Sequence, residues 1–120
     1  MDGITLNGRD YRLPRRPTVA ICADGCDPAY LEAGLAAGVL PTIAAWRERG
    51  FYAIADAAMP TFTNPNNMSI VTGAPPAVHG ISGNFALDRD SGAEIMMTDP
   101  EMLHSDTILR SGRASCRERV

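Results

Sequence analysis

Residues 59–73 read Met-Pro-Thr-Phe-Thr-Asn-Pro-Asn-Asn-Met-Ser-Ile-Val-Thr-Gly, and they join the end of an apolar strand pattern to the start of a helical one. Thr63 lies at this change of period, directly before Asn64 and Pro65, and proline suits the first turn of a helix. A hydroxyl residue at this place is typical of a helix N-cap. The same geometry would present the Thr63 side chain, with free backbone N–H groups beside it, to an anion. A capped helix alone explains the pattern, so a functional interpretation needs a second strand end nearby.

The chain upstream of this stretch supplies that second strand end. Thr18–Ala23 is a continuous apolar run, typical of a central parallel strand with both faces covered, and it stops at a polar turn that begins with Asp24. Two helices are predicted next, over Tyr30–Ala37 and Pro41–Arg49, followed by a strand over Phe51–Ala58. This order of elements predicts a right-handed βαβ unit with a parallel sheet, hence an α/β fold.

Smaller elements complete the prediction. Residues 1–17 form a polar N-terminal leader whose Arg-Pro pairs favour extended backbone. A short helix is expected from Asn66 to Thr72. A small hairpin joins Phe85–Asp88 to Glu94–Met97 across a glycine-containing turn.

The last residues of the chain do not continue these patterns. The string Gly112–Val120 has no apolar face that would extend the preceding helix, and it resembles the translation of a sequencing adapter. We therefore divide the chain into the leader 1–17, a folded part 18–109, and a tail, 110–120, that we expect to be non-native.

Composition and charge exclude several classes of function. The formal net charge of −3 and the lack of a basic stripe interleaved with aromatic residues argue against a nucleic-acid partner. No apolar run reaches the length of about 18 residues that predicts a membrane span. The three cysteines, Cys22, Cys26 and Cys116, make neither a disulfide framework nor the paired spacing of a zinc knuckle. We expect a cytoplasmic protein without a membrane partner.

The two strand ends place chemically useful side chains together. Ligands bind at the carboxyl ends of strands in an open parallel sheet, so Asp24 and Thr63 are expected to face one crevice. A carboxylate beside a hydroxyl suits a cation that holds a phosphoryl oxygen and turns the Thr63 hydroxyl into a nucleophile. Asn84, in a glycine-rich loop, would donate an N–H to a developing oxyanion. Asp27 precedes Pro28, and a helix cap explains it better than a metal ligand does.

Several spaced motifs together resemble one superfamily. The chain is similar to the alkaline phosphatase superfamily, to its nucleotide pyrophosphatase/phosphodiesterase-like branch, and within that branch to the phosphonoacetate hydrolases. The resemblance covers about residues 7–109. It rests on Asp24-Gly25, on Pro60-Thr61-Phe62-Thr63-Asn64-Pro65-Asn66, on Thr72-Gly73, on His79-Gly80-Ile81, on Gly83-Asn84, and on the leader run Asn7-Gly8-Arg9-Asp10-Tyr11-Arg12-Leu13-Pro14.

The resemblance implies a fold, a reaction and a set of roles. The fold would be part of an alkaline-phosphatase-like domain, with a mainly parallel sheet flanked by helices. Asp24 and Thr63 would ligate zinc at a two-zinc site, Thr63 would be the nucleophile, and Asn84 would hold a phosphoryl oxygen. The reaction would release acetate and phosphate from phosphonoacetate through a phospho-threonine, and the full-length parent would be a homodimer.

The chain departs from the family pattern in one respect. The remaining Asp and His ligands, and the lysines that would bind the substrate carboxylate, lie downstream in the family. This chain has no lysine and only two histidines, His79 and His104. We expect His79 to be structural and His104 to lie on the surface, so this fragment alone would be inactive. Two alternatives stay open: a phosphodiesterase or nucleotide pyrophosphatase on the same scaffold, and a non-catalytic phosphate-binding α/β module.

Overall fold

The structure, a computed structural model, describes residues 3–110. This part of the chain contains helices and short antiparallel strands, with one hairpin before the helices and one after them, and the predicted α/β class is confirmed. The described residues divide into two compact units, a larger one of residues 3–18 and 57–110 and a smaller one of residues 19–56. In chain order the elements are β1 (Gly3–Leu6), β2 (Arg9–Arg12), α1 (Pro28–Ala36), α2 (Pro41–Arg49), α3 (Thr63–Thr72), α4 (Pro76–His79), β3 (Phe85–Leu87), β4 (Glu94–Met96) and a 3-10 turn (Pro100–Met102).

The smaller unit consists of two packed helices. The α1 helix begins after Asp27, whose carboxylate accepts a hydrogen bond from the Ala29 N–H at 2.7 Å, so the predicted cap is confirmed. Gly38 then turns the chain at a φ of +71°, which L side chains rarely adopt, and Pro41 opens α2. In the described chain no single helix is long and apolar enough to cross a membrane. The bent pair of α1 and α2, at 107°, meets the length and composition requirements only when both are counted together.

The structure differs from the prediction in the two runs expected to form a parallel sheet. Within residues 3–110, neither Thr18–Ala23 nor Phe51–Ala58 belongs to a ladder, and both sheets are two-stranded and antiparallel. Val19 and Phe51 in these runs are 84% and 93% exposed. A strand is held by hydrogen bonds to a neighbour, and the described residues place no strand beside either run. The apolar pattern of these two runs is typical of buried strands, but the described residues supply no neighbouring segment that buries them.

The larger unit is centred on the C-terminal half of α3. Thr72 and His79 are fully buried, and Ala74 and Ile81 are less than a tenth exposed. The α3 helix ends where Gly73 adopts a left-handed conformation and donates its N–H to the Ser69 carbonyl at 3.0 Å. The short helix α4 follows at once, so the core lies where α3 meets α4.

A β-hairpin at the start of the chain covers this core, where the sequence predicted only a polar leader. β1 and β2 pair with Gly3 opposite Arg12 and Leu6 opposite Arg9, and Leu6 is 4% exposed. The turn is Asn7-Gly8, with φ of 48° and 76°. Asn-Gly is the strongest short-range signal for a two-residue hairpin turn, and it was present in the sequence.

The hairpin is joined to the rest of the larger unit by side chains. Asn7 donates through Nδ2 to the Thr72 carbonyl at 2.8 Å and to the Asp106 carbonyl at 2.9 Å. The Tyr11 hydroxyl lies against Gly73, where a side chain would collide with it. The hairpin therefore holds the C-terminal end of α3.

The predicted hairpin between Phe85–Asp88 and Glu94–Met97 is confirmed. β3 and β4 pair antiparallel, with Phe85 opposite Met96 and Leu87 opposite Glu94. The prediction that residues 110–120 are non-native concerns a tail of which 111–120 lie outside the described residues, so it remains a prediction.

Candidate active site

The nucleophile candidate opens α3. The helix starts at Thr63 itself, three residues earlier than predicted, and the N-cap is Phe62, which makes no side-chain cap bond. The predicted N-cap role of Thr63 is therefore wrong. Phe62 carries the extended backbone, φ −82° and ψ 157°, that defines a cap, and this moves Thr63 into the first helical turn. The Thr63 side chain is exposed at this end of the helix.

The backbone N–H groups next to Thr63 are engaged within the protein. The Asn64 N–H donates to the Asn84 Oδ1 at 3.0 Å, and the Asn66 N–H donates to the Phe62 carbonyl at 3.4 Å. Pro65 has no N–H. The expectation of free N–H groups beside Thr63 is thus wrong for residues 64–66, because the Asn84 side chain occupies the place predicted for an anion.

A closed set of hydrogen bonds holds Asn84 beside the helix start. Asn64 donates through Nδ2 to the Met97 carbonyl at 3.1 Å, and the Met97 N–H donates to the Asn84 carbonyl at 2.8 Å. Because Asn84 Oδ1 accepts the Asn64 N–H, its Nδ2 group is the part of the amide left to donate elsewhere. The structure therefore brings Asn84 to within one peptide unit of Thr63.

Asn66 holds the loop that leads into Thr63. Its Oδ1 accepts the Ala58 N–H at 2.8 Å, and its Nδ2 donates to the carbonyls of Phe62 at 2.9 Å and Ala58 at 3.3 Å. Sequence reasoning missed that this one side chain bonds both ends of the loop before Thr63, and the available signal was the Asn directly after Thr63-Asn64-Pro65.

Asp24 lies in the smaller unit, exposed, in a turn just before α1. Its predicted pairing with Thr63 across one crevice remains a prediction. Among residues 3–110, no three His, Cys, Asp or Glu side chains are placed to hold a metal ion. Zinc takes about four ligands, so Asp24 and Thr63 do not by themselves complete a zinc site.

The two histidines serve the fold at the places the structure gives them. His79 is fully buried, its Nδ1 accepts the Ile81 N–H at 3.1 Å, and its Nε2 lies 3.0 Å from the Ser69 hydroxyl. Since Nδ1 accepts, Nε2 carries the proton of the neutral ring. Burial lowers the pKa of His79, and a hydrogen bond to the Pro65 backbone offsets part of that effect. His104 is exposed, as predicted, and its backbone N–H donates to the His79 carbonyl at 3.0 Å.

Two solved structures are similar to this chain. Both are crystal structures of phosphonoacetate hydrolase from Sinorhizobium meliloti 1021, one in complex with phosphonoformate and one with phosphonoacetate. The sequence identities are 48% and 47%, and the TM-score is 0.88 in both cases. Each comparison covers 94% of this chain and 27% of the solved chain. The expected partial alkaline-phosphatase-like fold is thereby confirmed.

A family-level match covers the same region. The sequence model of the type I phosphodiesterase/nucleotide pyrophosphatase family matches residues 18–115, which include Asp24, Thr63 and Asn84. The match spans most of the chain. This chain belongs to the type I phosphodiesterase/nucleotide pyrophosphatase family.

Proposed function

We propose that this chain is the N-terminal part of a longer zinc-dependent phosphonoacetate hydrolase, here called the full-length parent. The observation that carries the proposal is the Asn84 amide, held by the Asn64 N–H at the start of the helix that begins with Thr63. The similarity to phosphonoacetate hydrolase over 94% of this chain supports the substrate, and its 27% share of that enzyme supports a longer parent.

In the proposed reaction, Thr63 and Asn84 act on the phosphonate group. The Thr63 oxygen attacks phosphorus in line as its proton is released to solvent, and the new O–P bond forms while the C–P bond breaks. The electron pair of that bond goes to the CH2 carbon, where the neighbouring carboxylate stabilises it as an enolate before a proton completes acetate. Water then cleaves the phospho-threonine and releases phosphate. Asn84 Nδ2 would donate to a non-bridging oxygen, a contribution of about 10²–10³ in rate for such donors.

The metal is part of the proposal through the family resemblance. When bound, zinc would supply positive charge that stabilises the negative phosphoryl oxygens. Asp24 and Thr63 are the residues of this chain proposed to contact it. The other ligands would come from the rest of the parent, because the donor set in residues 3–110 is incomplete. A cytoplasmic location and a homodimeric parent are proposed on the same resemblance.

The first test is the gene. Sequencing the genomic locus through codons 108–120 should show a reading frame that runs on into further Asp and His residues. A stop codon directly after Val120 in clean genomic DNA would overturn the two-zinc mechanism for this chain and favour a phosphate-binding module.

The second test is activity of the full-length parent on phosphonoacetate, with release of acetate and phosphate measured together. Thr63→Ala should abolish turnover. Asn84→Asp keeps an oxygen for the Asn64 N–H but removes the Nδ2 donor, so its kcat should fall by about 10²–10³. In Asn84→Ala, which loses both the oxygen and the Nδ2 donor, kcat should fall at least as far. If Asn84→Asp keeps wild-type kcat, Asn84 is only a helix cap and the proposed role is wrong.

A phosphodiester substrate is the second candidate, because the family-level match is to phosphodiesterases and nucleotide pyrophosphatases. Bis(p-nitrophenyl) phosphate and phosphonoacetate should be compared as kcat/KM on the same preparation. A higher value for phosphonoacetate supports the hydrolase, and a higher value for the diester supports the alternative.

A further inference from the structure

The loop that leads into Thr63 has few contacts of its own that would hold it in place. Residues 57–62 have no helical or strand hydrogen bonds, and the Phe62 N–H closes a tight turn onto the Pro60 carbonyl at 2.8 Å. Met59 is 82% exposed and Phe62 is 52% exposed, so side-chain packing contributes little. Something else must set the direction in which the chain enters α3.

The Asn66 side chain supplies that constraint. It bonds the N–H and the carbonyl of Ala58 at one end of the loop and the carbonyl of Phe62 at the other, at 2.8, 3.3 and 2.9 Å. Asn66 is itself in the first turn of α3, so the loop is tied to the helix whose first residue is Thr63. Two donors and one acceptor are used in this arrangement, and only an amide side chain of this length offers both.

We propose that Asn66 is a positioning residue for the reaction, which rests on the proposed function of Thr63. It fixes the backbone of residues 58–62, and through it the direction from which the Thr63 hydroxyl reaches phosphorus. It touches neither substrate nor reacting atoms. Displacement of a reacting group by about 1 Å costs on the order of 100-fold in rate. Without the Asn66 side chain the loop loses its bonds at Ala58 and, of its bonds to residue 66, keeps only the backbone bond from the residue 66 N–H to the Phe62 carbonyl, so kcat should fall.

The variants separate positioning from stability. Asn66→Ala loses all three bonds. Asn66→Asp keeps an acceptor for the Ala58 N–H but turns a carboxylate oxygen toward two carbonyls, while its charge in the first turn favours the helix dipole. Ile70→Ala is the matched control, because Ile70 is on the same helix and 67% exposed.

Steady-state kinetics of the full-length parent on phosphonoacetate give the main readout. We expect kcat to fall at least about 10-fold in Asn66→Ala and no less in Asn66→Asp, with KM within about twofold, since the interaction lost orients the nucleophile and does not bind substrate. Thermal unfolding should show Asn66→Asp at least as stable as Asn66→Ala. The proposal is overturned if both Asn66 variants keep kcat within twofold of wild type. It is also overturned if the loss of kcat follows the loss of unfolding temperature across Asn66→Ala, Asn66→Asp and Ile70→Ala.

Amide hydrogen exchange tests the constraint without catalysis. In the full-length parent the Ala58 amide should exchange faster in Asn66→Ala than in wild type and stay protected in Asn66→Asp. Unchanged exchange in Asn66→Ala means that the side chain does not hold the loop, and the proposal fails. If the wild-type parent turns over neither phosphonoacetate nor the diester, the proposed function fails instead, and the exchange result alone decides whether Asn66 holds the loop.

Discussion

At the scale of single residues, His79 shows how a buried ring ties one helix to its neighbours. Its neutral form accepts from the Ile81 N–H and faces the Ser69 hydroxyl, and a second proton on the ring would have to displace the Ile81 bond. Burial lowers its pKa from the ordinary 6.5, because the interior disfavours the imidazolium ion. The unfolded chain therefore takes up this proton at a higher pH than the folded chain does.

The resulting pH dependence has a definite sign. The free energy of unfolding of the full-length parent should decrease as pH falls below about 6.5, by at most about 1.4 kcal/mol per pH unit for one proton. Urea unfolding at pH 7.5, 6.5 and 5.5 measures it, and His79→Gln should remove this part of the slope. Asp88→Asn is the control, because hydrogen bonds from Ser91 lower the Asp88 pKa below its ordinary 3.8, outside this range. Equal slopes in wild type and His79→Gln would contradict the assignment.

The sequence predicted a side chain's role correctly where its hydrogen-bond partner is close to it in the chain. The Asp27 cap depends on the next two residues of the chain, and the structure agrees. The hydrogen bond from the Asn64 N–H to Asn84 spans 20 residues and depends on where a hairpin places a loop. No pattern near Thr63 predicts that its neighbouring N–H groups are already engaged.

At the scale of elements, helix bounds were predictable when proline and glycine mark both ends. The α2 helix runs from Pro41 to Arg49, as predicted, with Gly50 as its C-cap. The α3 helix begins three residues before the predicted Asn66, because Thr63, Asn64 and Pro65 form its first turn and do not precede it. The N-terminal hairpin was missed because its polar composition outweighed the Asn-Gly turn.

The docking of that hairpin on α3 can be measured with a pair of glycines. Gly73 and Gly92 both have positive φ, 64° and 69°, but a Cβ at Gly73 would collide with the Tyr11 hydroxyl and one at Gly92 would meet nothing within 4 Å. Gly92→Ala should cost about 1–2 kcal/mol for the left-handed backbone alone. Gly73→Ala should cost about 1–3 kcal/mol more, the usual range for overpacking.

A second substitution identifies the cause. Tyr11→Phe removes the hydroxyl and should recover part of the extra cost in the Gly73→Ala background, as measured by urea unfolding in a double-mutant cycle. Equal costs for Gly73→Ala and Gly92→Ala would mean that the hairpin moves aside easily and does not brace the helix.

At the scale of the whole molecule, the apolar runs of the smaller unit are exposed to solvent. Val19, Ile21, Phe51 and Ile54 are each more than 70% exposed. Exposed apolar side chains of this kind promote association. The sequence predicted these runs as buried strands from their composition, and composition cannot say which chain segment lies beside a strand.

The exposed runs predict the behaviour of the 120-residue chain in isolation. It should bind the dye ANS and elute as mixed oligomers in size-exclusion chromatography, and paired Val19→Lys and Phe51→Lys changes should reduce both effects. The full-length parent should show neither. A monomeric 120-residue chain with a cooperative unfolding transition and no dye binding would contradict this expectation.

The bond from Asn7 to Asp106 joins positions 99 residues apart. A hairpin such as β1–β2 closes in about 1–10 μs, whereas a ribosome adds those 99 residues in roughly 5 to 20 s. During synthesis the hairpin therefore forms long before its docking site exists. Asn7 can reach the Thr72 carbonyl once the end of α3 has emerged, but its bond to the Asp106 carbonyl forms only after residue 106 has emerged, so the docking of the hairpin is completed in two steps.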